Sequence, residues 1–317
     1  MGTSWWKRSY SALSHPLRTA ARLKRYAARR RRATLENKVL ASQWLDQDRL
    51  RAWQLANVQS LLRHAYKTTR YYRELFDDRG LRPRDIRSLS DLAQAVPPLT
   101  RDTVKARFDD LVSCKWKENL KLGRTSGSTG TPMHFAHPQP FPAQRSSRAQ
   151  LAEMLGLQGD ERTLYLVAPA LQNRHYRHWD KKRKTAIYSF HDMPAKGFEE
   201  LLTFVLKWRP EYLYGYVSLL CLLADEFEKR GHTCPSIRII RTGSEKLYKH
   251  QRAQITRVLG GEVFDHYGSE EISDYGVECH EHNGLHLFSN LRLFEIEPAT
   301  AQESDTGEAL ITDFANY

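Results

Sequence analysis

The chain carries the stretch Gly123-Arg124-Thr125-Ser126-Gly127-Ser128-Thr129-Gly130-Thr131-Pro132, a short run of glycine and hydroxyl residues that ends at a proline. Glycine lets backbone amides approach a ligand closely, and Ser and Thr hydroxyls add hydrogen-bond donors. Consecutive amides in such a turn form a concave site for an anion. A flexible Ser/Gly linker is the alternative, but the stretch is short and continues directly into the strand-like segment Met133-His134-Phe135. The pattern therefore favours a phosphate-binding loop, which we call the glycine loop (residues 123–132).

The glycine loop differs from two widespread nucleotide-binding loops. No Gly-Lys-Ser or Gly-Lys-Thr follows its first glycine at the required spacing, so it is not a Walker loop. It also lacks the Gly-x-Gly-x-x-Gly spacing of the dinucleotide-binding turn. Phosphate binding is therefore predicted from its glycine and hydroxyl content rather than from either fingerprint.

Length and composition indicate an α/β protein of one large domain or two smaller ones. The chain has 317 residues, of which 40% are hydrophobic and 27% charged. Its four cysteines are scattered without a Cys-x-x-Cys pair, which indicates a reducing compartment rather than a disulfide framework. No apolar run reaches the roughly 18–20 residues needed to span a bilayer, and no signal-peptide core follows the first basic residues. We therefore expect a soluble, cytoplasmic body.

The positive charge is concentrated at the amino terminus. The formal net charge is +12, and ten basic side chains precede the first acid, Glu36. Interleaved aromatic and leucine side chains suit an anionic lipid surface, where each basic residue contributes about 1 kcal/mol. Non-specific nucleic-acid binding and a solvated, partly helical tail are equal alternatives. No nucleic-acid module follows, so specific nucleic-acid recognition is not expected. Residues 1–34 are therefore predicted to be a basic arm, a candidate for peripheral membrane contact.

The remainder, residues 35–317, shows an α/β pattern. A helical spacing covers 35–72, with later breaks at Gly80, Pro83 and Pro97-Pro98. Beyond the glycine loop, strands are predicted at 163–168, 212–216, 236–241 and 262–264, helices at 198–208, 217–229 and 247–259, and an exposed loop at 173–184. Strands that alternate with helices predict a parallel sheet, with ligands at the carboxyl ends of its strands. The fold class expected is α/β, with layered, mostly parallel sheets flanked by helices.

A second motif, Asp265-His266-Tyr267-Gly268-Ser269-Glu270-Glu271, follows the last predicted strand. An aromatic ring beside glycine offers a flat face for a purine. A nearby carboxylate can hold Mg²⁺, which prefers oxygen ligands together with nucleotide phosphates. On its own the motif is more typical of an exposed Tyr-Gly turn with acidic neighbours. Together with the glycine loop, it indicates a nucleotide site.

These two motifs resemble the signatures of the adenylate-forming enzymes, the acyl- and aryl-CoA ligases. The amino-terminal region resembles the phenylacetate-CoA ligase branch in the order and amino-acid sequence of four segments, 61–66, 71–76, 85–92 and 97–101. This branch includes relatives from capsular polysaccharide gene clusters. The resemblance implies ATP, Mg²⁺ and CoA as cofactors and a small carboxylic acid as substrate. The alternation of strands and helices agrees with the large amino-terminal domain of that family.

The resemblance also implies roles for individual residues. Thr129 and Glu271 are the implied catalytic residues, and Glu271 matches the Mg²⁺-associated glutamate of the family. Glu270 occupies the position usually held by Ser or Thr, which leaves one phosphate or carboxylate contact open. The implied binding residues are Thr125, Ser126, Gly127, Ser128, Thr129, Gly130 and Thr131 for phosphate, Gly243, Ser244, Glu245, Tyr267 and Gly268 for adenine, and Tyr214, Gly215 and Tyr216 for the acyl pocket.

A candidate zinc site follows the second motif. Residues 279–286 contain one cysteine and three histidines, which are residue types that bind zinc. In some relatives a Cys and a His matching Cys279 and His286 share zinc with a later Cys-x-Cys pair, which this sequence lacks. A polar hairpin is therefore the favoured alternative to zinc.

The function implied is ATP-dependent activation of a carboxylic acid through an acyl-adenylate, followed by transfer to CoA or another thiol. In the family, a ribose-binding Asp, a hinge and a mobile domain with a catalytic lysine follow the segment that ends here at Tyr317. A fragment, a natural truncation and one half of a split enzyme all agree with this ending. The alternative function is a non-catalytic nucleotide-binding or scaffold protein of polysaccharide assembly at the membrane surface. A homodimer is a further candidate.

Overall fold

A computed structural model describes residues 37–115, 119–124, 133–138, 142–168, 175–191, 193–298 and 307–314. The basic arm and residues 125–132 of the glycine loop lie outside the described residues. Within the described part of the chain, no helix combines the length and apolar character needed to cross a membrane.

The amino-terminal region of the body is helical, as its spacing predicts, but it is divided into several helices. A helical segment covers 37–42. It is followed by α1 (Gln47–Thr68), α2 (Arg70–Asp78), a 3₁₀ turn (Pro83–Asp85), α3 (Leu89–Ala95) and α4 (Arg101–Leu111). The single helical stretch predicted at 35–72 is therefore wrong in its continuity.

Capping residues explain where these helices begin and end. The Asp46 carboxylate accepts a hydrogen bond from the Arg49 amide and begins α1. Thr69 ends α1 with its amide on the Ala65 carbonyl, and it begins α2 by accepting from the Tyr72 amide. These hydrogen bonds satisfy amide and carbonyl groups that are left without intrahelical partners where α1 ends and α2 begins. The turn at Thr69 therefore lets α1 and α2 pack around one small core.

A β-hairpin flanks residues 125–132 of the glycine loop. Its strands are β1 (Leu120–Arg124) and β2 (His134–Pro138), which pair antiparallel with Arg124 opposite His134. Gly123 faces Phe135, and a Cβ atom at residue 123 would lie 2.3 Å from the Phe135 ring. The first glycine of the loop is therefore needed for close packing within the hairpin.

The centre of the fold is a six-stranded sheet in the order β4-β5-β3-β6-β7-β8. Its strands are β3 (Thr163–Val167), β4 (Arg177–Asp180), β5 (Thr185–Ser189), β6 (Tyr212–Tyr216), β7 (Ile239–Gly243) and β8 (Glu262–Phe264). All neighbouring pairs are parallel except β4 with β5. The predicted parallel α/β sheet is confirmed. The exposed loop predicted at 173–184 is wrong, because it contains the edge strand β4.

Helices and a second sheet cover the two faces of the central sheet. Helices α6 (Ala195–Trp208), α7 (Val217–Lys229) and α8 (Lys249–Leu259) share one apolar core with strand residues such as Leu166, Leu213 and Ile240. Helix α5 (Pro142–Met154) contributes Leu151 to a second core, with Phe264 of the central sheet. This second core also contains Val277 from a three-stranded antiparallel sheet, which consists of β9 (His266–Ser269), β10 (Ser273–Val277) and β11 (His286–Leu287).

A final antiparallel pair, β12 (Arg292–Pro298) and β13 (Gly307–Asp313), joins the body to the amino-terminal helices. Leu293 and Phe314 pack in the core formed by Val58, Leu62 and Phe76. The pair is stabilised internally by Arg292, whose fully buried guanidinium lies 2.9 Å from the Asp313 carboxylate.

Candidate functional site

The predicted ligand turns meet at the carboxyl ends of two neighbouring strands. In the register of β6 with β7, Gly215 lies opposite Thr242 and Tyr216 lies opposite Gly243. The predicted acyl-pocket residues of β6 and the predicted adenine turn after β7 are therefore adjacent, as the parallel-sheet rule requires.

Gly243 is in close contact with the Tyr214 ring. A Cβ atom at residue 243 would lie 2.7 Å from the Tyr214 hydroxyl and 2.9 Å from its ring. Ser244, the next residue, has φ 67°, in the left-handed region that favours glycine. The backbone at 243–244 therefore turns sharply over the Tyr214 ring, which leaves no space for a larger residue at 243.

Two residues of the predicted site, Glu245 and Gly215, make contacts within the fold. The Glu245 carboxylate accepts from the Ser218 amide at 2.6 Å and from the Ser218 hydroxyl at 2.9 Å, so it caps the first turn of α7. Gly215 is buried, and a Cβ atom there would lie 3.1 Å from the Leu220 side chain. Ligand contacts of Glu245 and Gly215 stay predictions.

Tyr267 presents a ring at the surface of β9. Its side chain is 49% exposed, and its ring centroid lies 4.9 Å from that of Tyr275 on β10. Gly268, which follows it, is so close to β10 that a Cβ atom would lie 2.7 Å from the Ser273 carbonyl oxygen. An exposed ring supported from behind by a second ring can stack against a planar ligand.

A buried carboxylate, Asp274, connects the strands and the helix around these turns. Its Oδ1 atom lies 3.0 Å from His266 Nε2 on β9 and 3.2 Å from Arg241 Nη1 on β7. Its Oδ2 atom accepts from the Ser147 hydroxyl of α5 at 2.8 Å and from the Ser273 hydroxyl at 3.0 Å. One carboxylate therefore links four elements that carry or adjoin the predicted site.

The charges in this cluster stabilise one another. Although burial alone would raise it, the hydrogen bond from His266 and the Arg241 charge hold the pKa of Asp274 well below its usual range. Burial also opposes the charge of Arg241, but Tyr212 and Asp274 hold its pKa above the usual value. Burial lowers the pKa of the His266 imidazole, an effect larger than the opposing attraction of Asp274. The cluster therefore contains an ionised Arg–Asp pair beside a histidine that favours its neutral form.

The guanidinium of Arg241 also lies over the Tyr214 ring, 4.3 Å from its centroid. The cluster is thus in direct contact with the ring that supports Gly243. Sequence analysis missed Arg241, Asp274 and Ser147. A charged residue inside the apolar strand sequence Ile239-Ile240-Arg241 is a signal that could have identified the first of them.

Two elements that follow the glycine loop, β2 and α5, contact the second motif and the strand β10 that follows it. His137 of β2 is buried, and its Nε2 atom donates to the Glu270 carbonyl at 2.9 Å. Ser147 of α5 reaches Asp274, three residues beyond Glu271. Residues 125–132 of the loop lie outside the described part, but the strand that follows them contacts the Tyr-Gly motif directly.

The predicted metal residues lie in two different settings. Glu271 is partly exposed and makes no ion pair within the described ranges. Near Cys279, the His282 imidazole instead lies between the Glu262 and Glu278 carboxylates, 3.1 and 3.2 Å away. Among the described residues, no three His, Cys, Asp or Glu side chains are arranged to hold a metal ion. Zinc at Cys279 and His286 stays a prediction without geometric support.

Comparisons with curated proteins find phenylacetate-coenzyme A ligases. The chain is 25% identical over 284 residues to the ligase of Thermus thermophilus, covering 84% of this chain and 60% of that protein. It is 26% identical over 250 residues to the ligase of Aromatoleum evansii and 25% identical over 246 residues to that of Escherichia coli. These two alignments cover 74% of this chain and 54% and 55% of the relatives. The chain therefore spans little more than half the length of these relatives. No protein-family model matches it.

Solved structures identify the fold. A 2-hydroxyisobutyryl-CoA ligase, crystallised with 2-HIB-AMP and CoA, matches with a TM-score of 0.70 at 17% identity, over 86% of this chain and 61% of that chain. This chain has the adenylate-forming CoA ligase fold. The open conformation of the same ligase matches with a TM-score of 0.66. The curated relatives confirm the sequence resemblance to phenylacetate-CoA ligases. The ligand roles of the residues at the ends of β6 and β7 and on β9 stay predictions.

Proposed function

We propose that this chain forms the ATP- and acid-binding part of an acid–thiol ligase of the phenylacetate-CoA ligase type. The observation that carries the proposal is the contact of His137, next to the glycine loop, with Glu270 in the Tyr-Gly motif. These residues are 133 positions apart in sequence, and the contact joins the strand that follows the glycine loop to the Tyr-Gly motif. Similarity to curated ligases and the shared fold support the same assignment.

The proposed reaction has two steps. A carboxylate oxygen attacks the α-phosphorus of ATP, forming an acyl–adenylate bond as the bond to pyrophosphate breaks. A thiolate, proposed to be that of CoA, then attacks the acyl carbon, and AMP leaves with the electrons of the broken acyl–oxygen bond. Both steps develop negative charge on oxygen, which oriented donors stabilise. The amides and hydroxyls of residues 125–131, Thr129 among them, are proposed as these donors.

Tyr267 and Glu271 are proposed to hold the nucleotide and its magnesium ion. The exposed Tyr267 ring would stack on adenine, beside the backbone of the turn at Gly243 and Ser244 and the backbone of Gly268. The Glu271 carboxylate fits Mg²⁺, a hard ion that takes one or two carboxylates together with phosphate oxygens. When bound, the ion would neutralise charge on the phosphates. Tyr214 and Tyr216 are proposed to face the acyl group.

Pyrophosphate exchange into ATP, measured with a panel of aliphatic and aromatic acids, tests the proposal. We expect exchange with at least one acid, and we expect Tyr267→Ala to raise the KM for ATP about tenfold, the effect of losing one stacking contact of about 1.4 kcal/mol. Trp44→Ala is the control, because Trp44 is an aromatic residue that is 78% exposed and precedes α1, far in sequence from the proposed site residues. ATP binding without exchange for any acid would favour the non-catalytic scaffold instead.

Further parts of the assignment rest on sequence alone. A role in polysaccharide biosynthesis, a cytoplasmic location, a homodimer and membrane contact through residues 1–34 are proposals of this kind. The concentration of ten basic residues before Glu36 supports the membrane contact. Liposome binding that is lost on deletion of residues 1–34 is the expected result, and unchanged binding would contradict it.

A further inference from the structure

A groove lies at the β4 edge of the central sheet. Its volume is about 630 Å³, within the range of small-molecule sites. The floor is formed by Trp179 of β4 and Tyr188 of β5, and the wall by Phe204 and Trp208 of α6. The groove is separate from the candidate nucleotide site, because β7 and β9 do not line it.

The groove lies where the apolar face of α6 reaches the edge of the central sheet. Leu201, Leu202 and Val205 are buried in the core against the sheet. Phe204 and Trp208 continue the same face, three and seven residues after Leu201, and pack half-buried against this core. Within the described residues β4 is the last strand of the sheet on this side, so these two rings lie at the margin of the core.

The aromatic rings in the groove form a connected cluster. The Trp179 ring lies 5.5 Å from Phe204 and 6.5 Å from Trp208, and Phe204 lies 4.9 Å from Trp208, all between centroids. Trp179 nevertheless remains 48% exposed. An exposed Trp179 ring that continues into the half-buried rings of Phe204 and Trp208 offers an apolar surface to a ligand.

The rim of the groove is positively charged. Its two acids are already occupied, since Glu200 pairs with Arg177 at 2.7 Å and Glu199 pairs with Arg230 at 2.6 Å. Lys196 and Lys207 also line the groove and make no ion pair among the residues that the structure describes. Lys181, in the turn after β4, places its ammonium group 4.9 Å from the Trp179 ring centroid. The Lys196 charge also helps to lower the pKa of Glu200, but the lining has three basic and two acidic side chains and Lys181 adds a fourth cation, so the rim carries an excess of positive charge.

We propose that this groove binds an amphiphilic anion, an aromatic or acyl group that carries a carboxylate, sulfonate or phosphate. The apolar part would lie against Trp179, Phe204 and Trp208, and the anionic group would contact Lys196 or Lys207. A volume of about 630 Å³ matches one small molecule. The proposal is independent of the ligase assignment, because none of its residues belongs to the nucleotide site.

The test uses two fluorescent probes that differ only in charge. 8-Anilinonaphthalene-1-sulfonate is an aromatic anion, and N-phenyl-1-naphthylamine is the same molecule without the sulfonate. We expect tighter binding of the anion to the full chain. Trp179→Ala is expected to weaken binding of both probes about fivefold to tenfold, the scale of a lost aromatic contact. A Lys196→Gln, Lys207→Gln double variant is expected to remove only the preference for the anion.

Matched controls separate groove binding from binding elsewhere. Leu222→Ala removes an exposed apolar side chain on α7 and Lys249→Gln removes a cation on α8, and neither is expected to change probe affinity by more than about twofold. Unchanged affinity in the groove variants, or displacement of the probe by AMP, would overturn the proposal. Sedimentation velocity adds a second check, because a dimer that dissociates in Trp179→Ala would show that a second copy occupies the groove. Loss of pyrophosphate exchange has no bearing on these outcomes.

Discussion

Replacing Asp274 with Asn tests whether one carboxylate holds the candidate site together. The substitution keeps the size of the side chain and leaves the Ser147 and Ser273 hydroxyls able to donate to its amide oxygen. It removes the charge that faces Arg241, whose side chain is 11% exposed, as is that of Asp274. Removing one partner of a buried ion pair typically costs about 3–5 kcal/mol, because the other charge stays buried without compensation.

We expect Asp274→Asn to lower the free energy of unfolding by about 3 kcal/mol, the lower end of this range, because Asn retains two of the four hydrogen bonds. Against a total stability of about 5–15 kcal/mol, such a loss is readily measured by urea unfolding followed by circular dichroism. Asp46→Asn is the control, since the Asp46–Arg49 pair is exposed and Asn caps a helix as well as Asp.

A double-mutant cycle with Arg241→Met sharpens the test. Removing both charges leaves no uncompensated ion, so the double variant is expected to be more stable than Asp274→Asn alone. Dependence on pH gives a second signature. Because the folded-state pKa of Asp274 is depressed below 3.8, its ionisation stabilises the fold above about pH 4, and this contribution is lost as the pH falls further. The reasoning would be refuted if Asp274→Asn lost less than about 1 kcal/mol of unfolding free energy at neutral pH. The same holds if the gap in unfolding free energy between wild type and variant did not shrink below about pH 4.

Three further predictions concern neighbouring residues. Gly243→Ala is expected to lower the free energy of unfolding in urea by about 1–3 kcal/mol and to weaken AMP binding in calorimetry, because the new methyl group would displace the Tyr214 ring. An unchanged unfolding free energy and AMP affinity would show that the ring moves freely. Glu245→Ala is expected to cost about 1 kcal/mol through loss of the α7 cap at Ser218, a result that Glu245→Gln should partly restore. Because the folded-state pKa of His266 is lowered, unfolding takes up a proton below about pH 6.5, so wild-type stability is expected to fall between pH 7 and 5. His266→Gln should flatten that slope in a pH series of urea titrations, and an unchanged slope would assign it to another group.

Local patterns in the sequence predicted much of the architecture. Alternating strands and helices from residue 163 onward gave the parallel sheet, because burial on both faces makes its strands apolar and the helices between them show a 3.6-residue spacing. The position of Gly243 at the end of β7 followed from the same rule, since ligand turns of parallel sheets lie at one edge. The expected Tyr-Gly turn was wrong, because Tyr267 lies inside the antiparallel strand β9. Capping positions such as Thr69 were also present in the sequence, but their effect on the predicted helix at 35–72 was missed.

The tertiary structure alone determined which distant residues meet. Arg241 and Asp274 are 33 positions apart, and His137 and Glu270 are 133 apart, so no local spacing could pair them. The strand β4 forms only because an edge of the sheet at β5 offers hydrogen bonds to a segment that is basic and exposed by composition. Hydrophobic spacing is a property of neighbouring residues and can be read along the chain, whereas the pairing of buried charges and the joining of an edge strand depend on the packing of layers far apart in sequence.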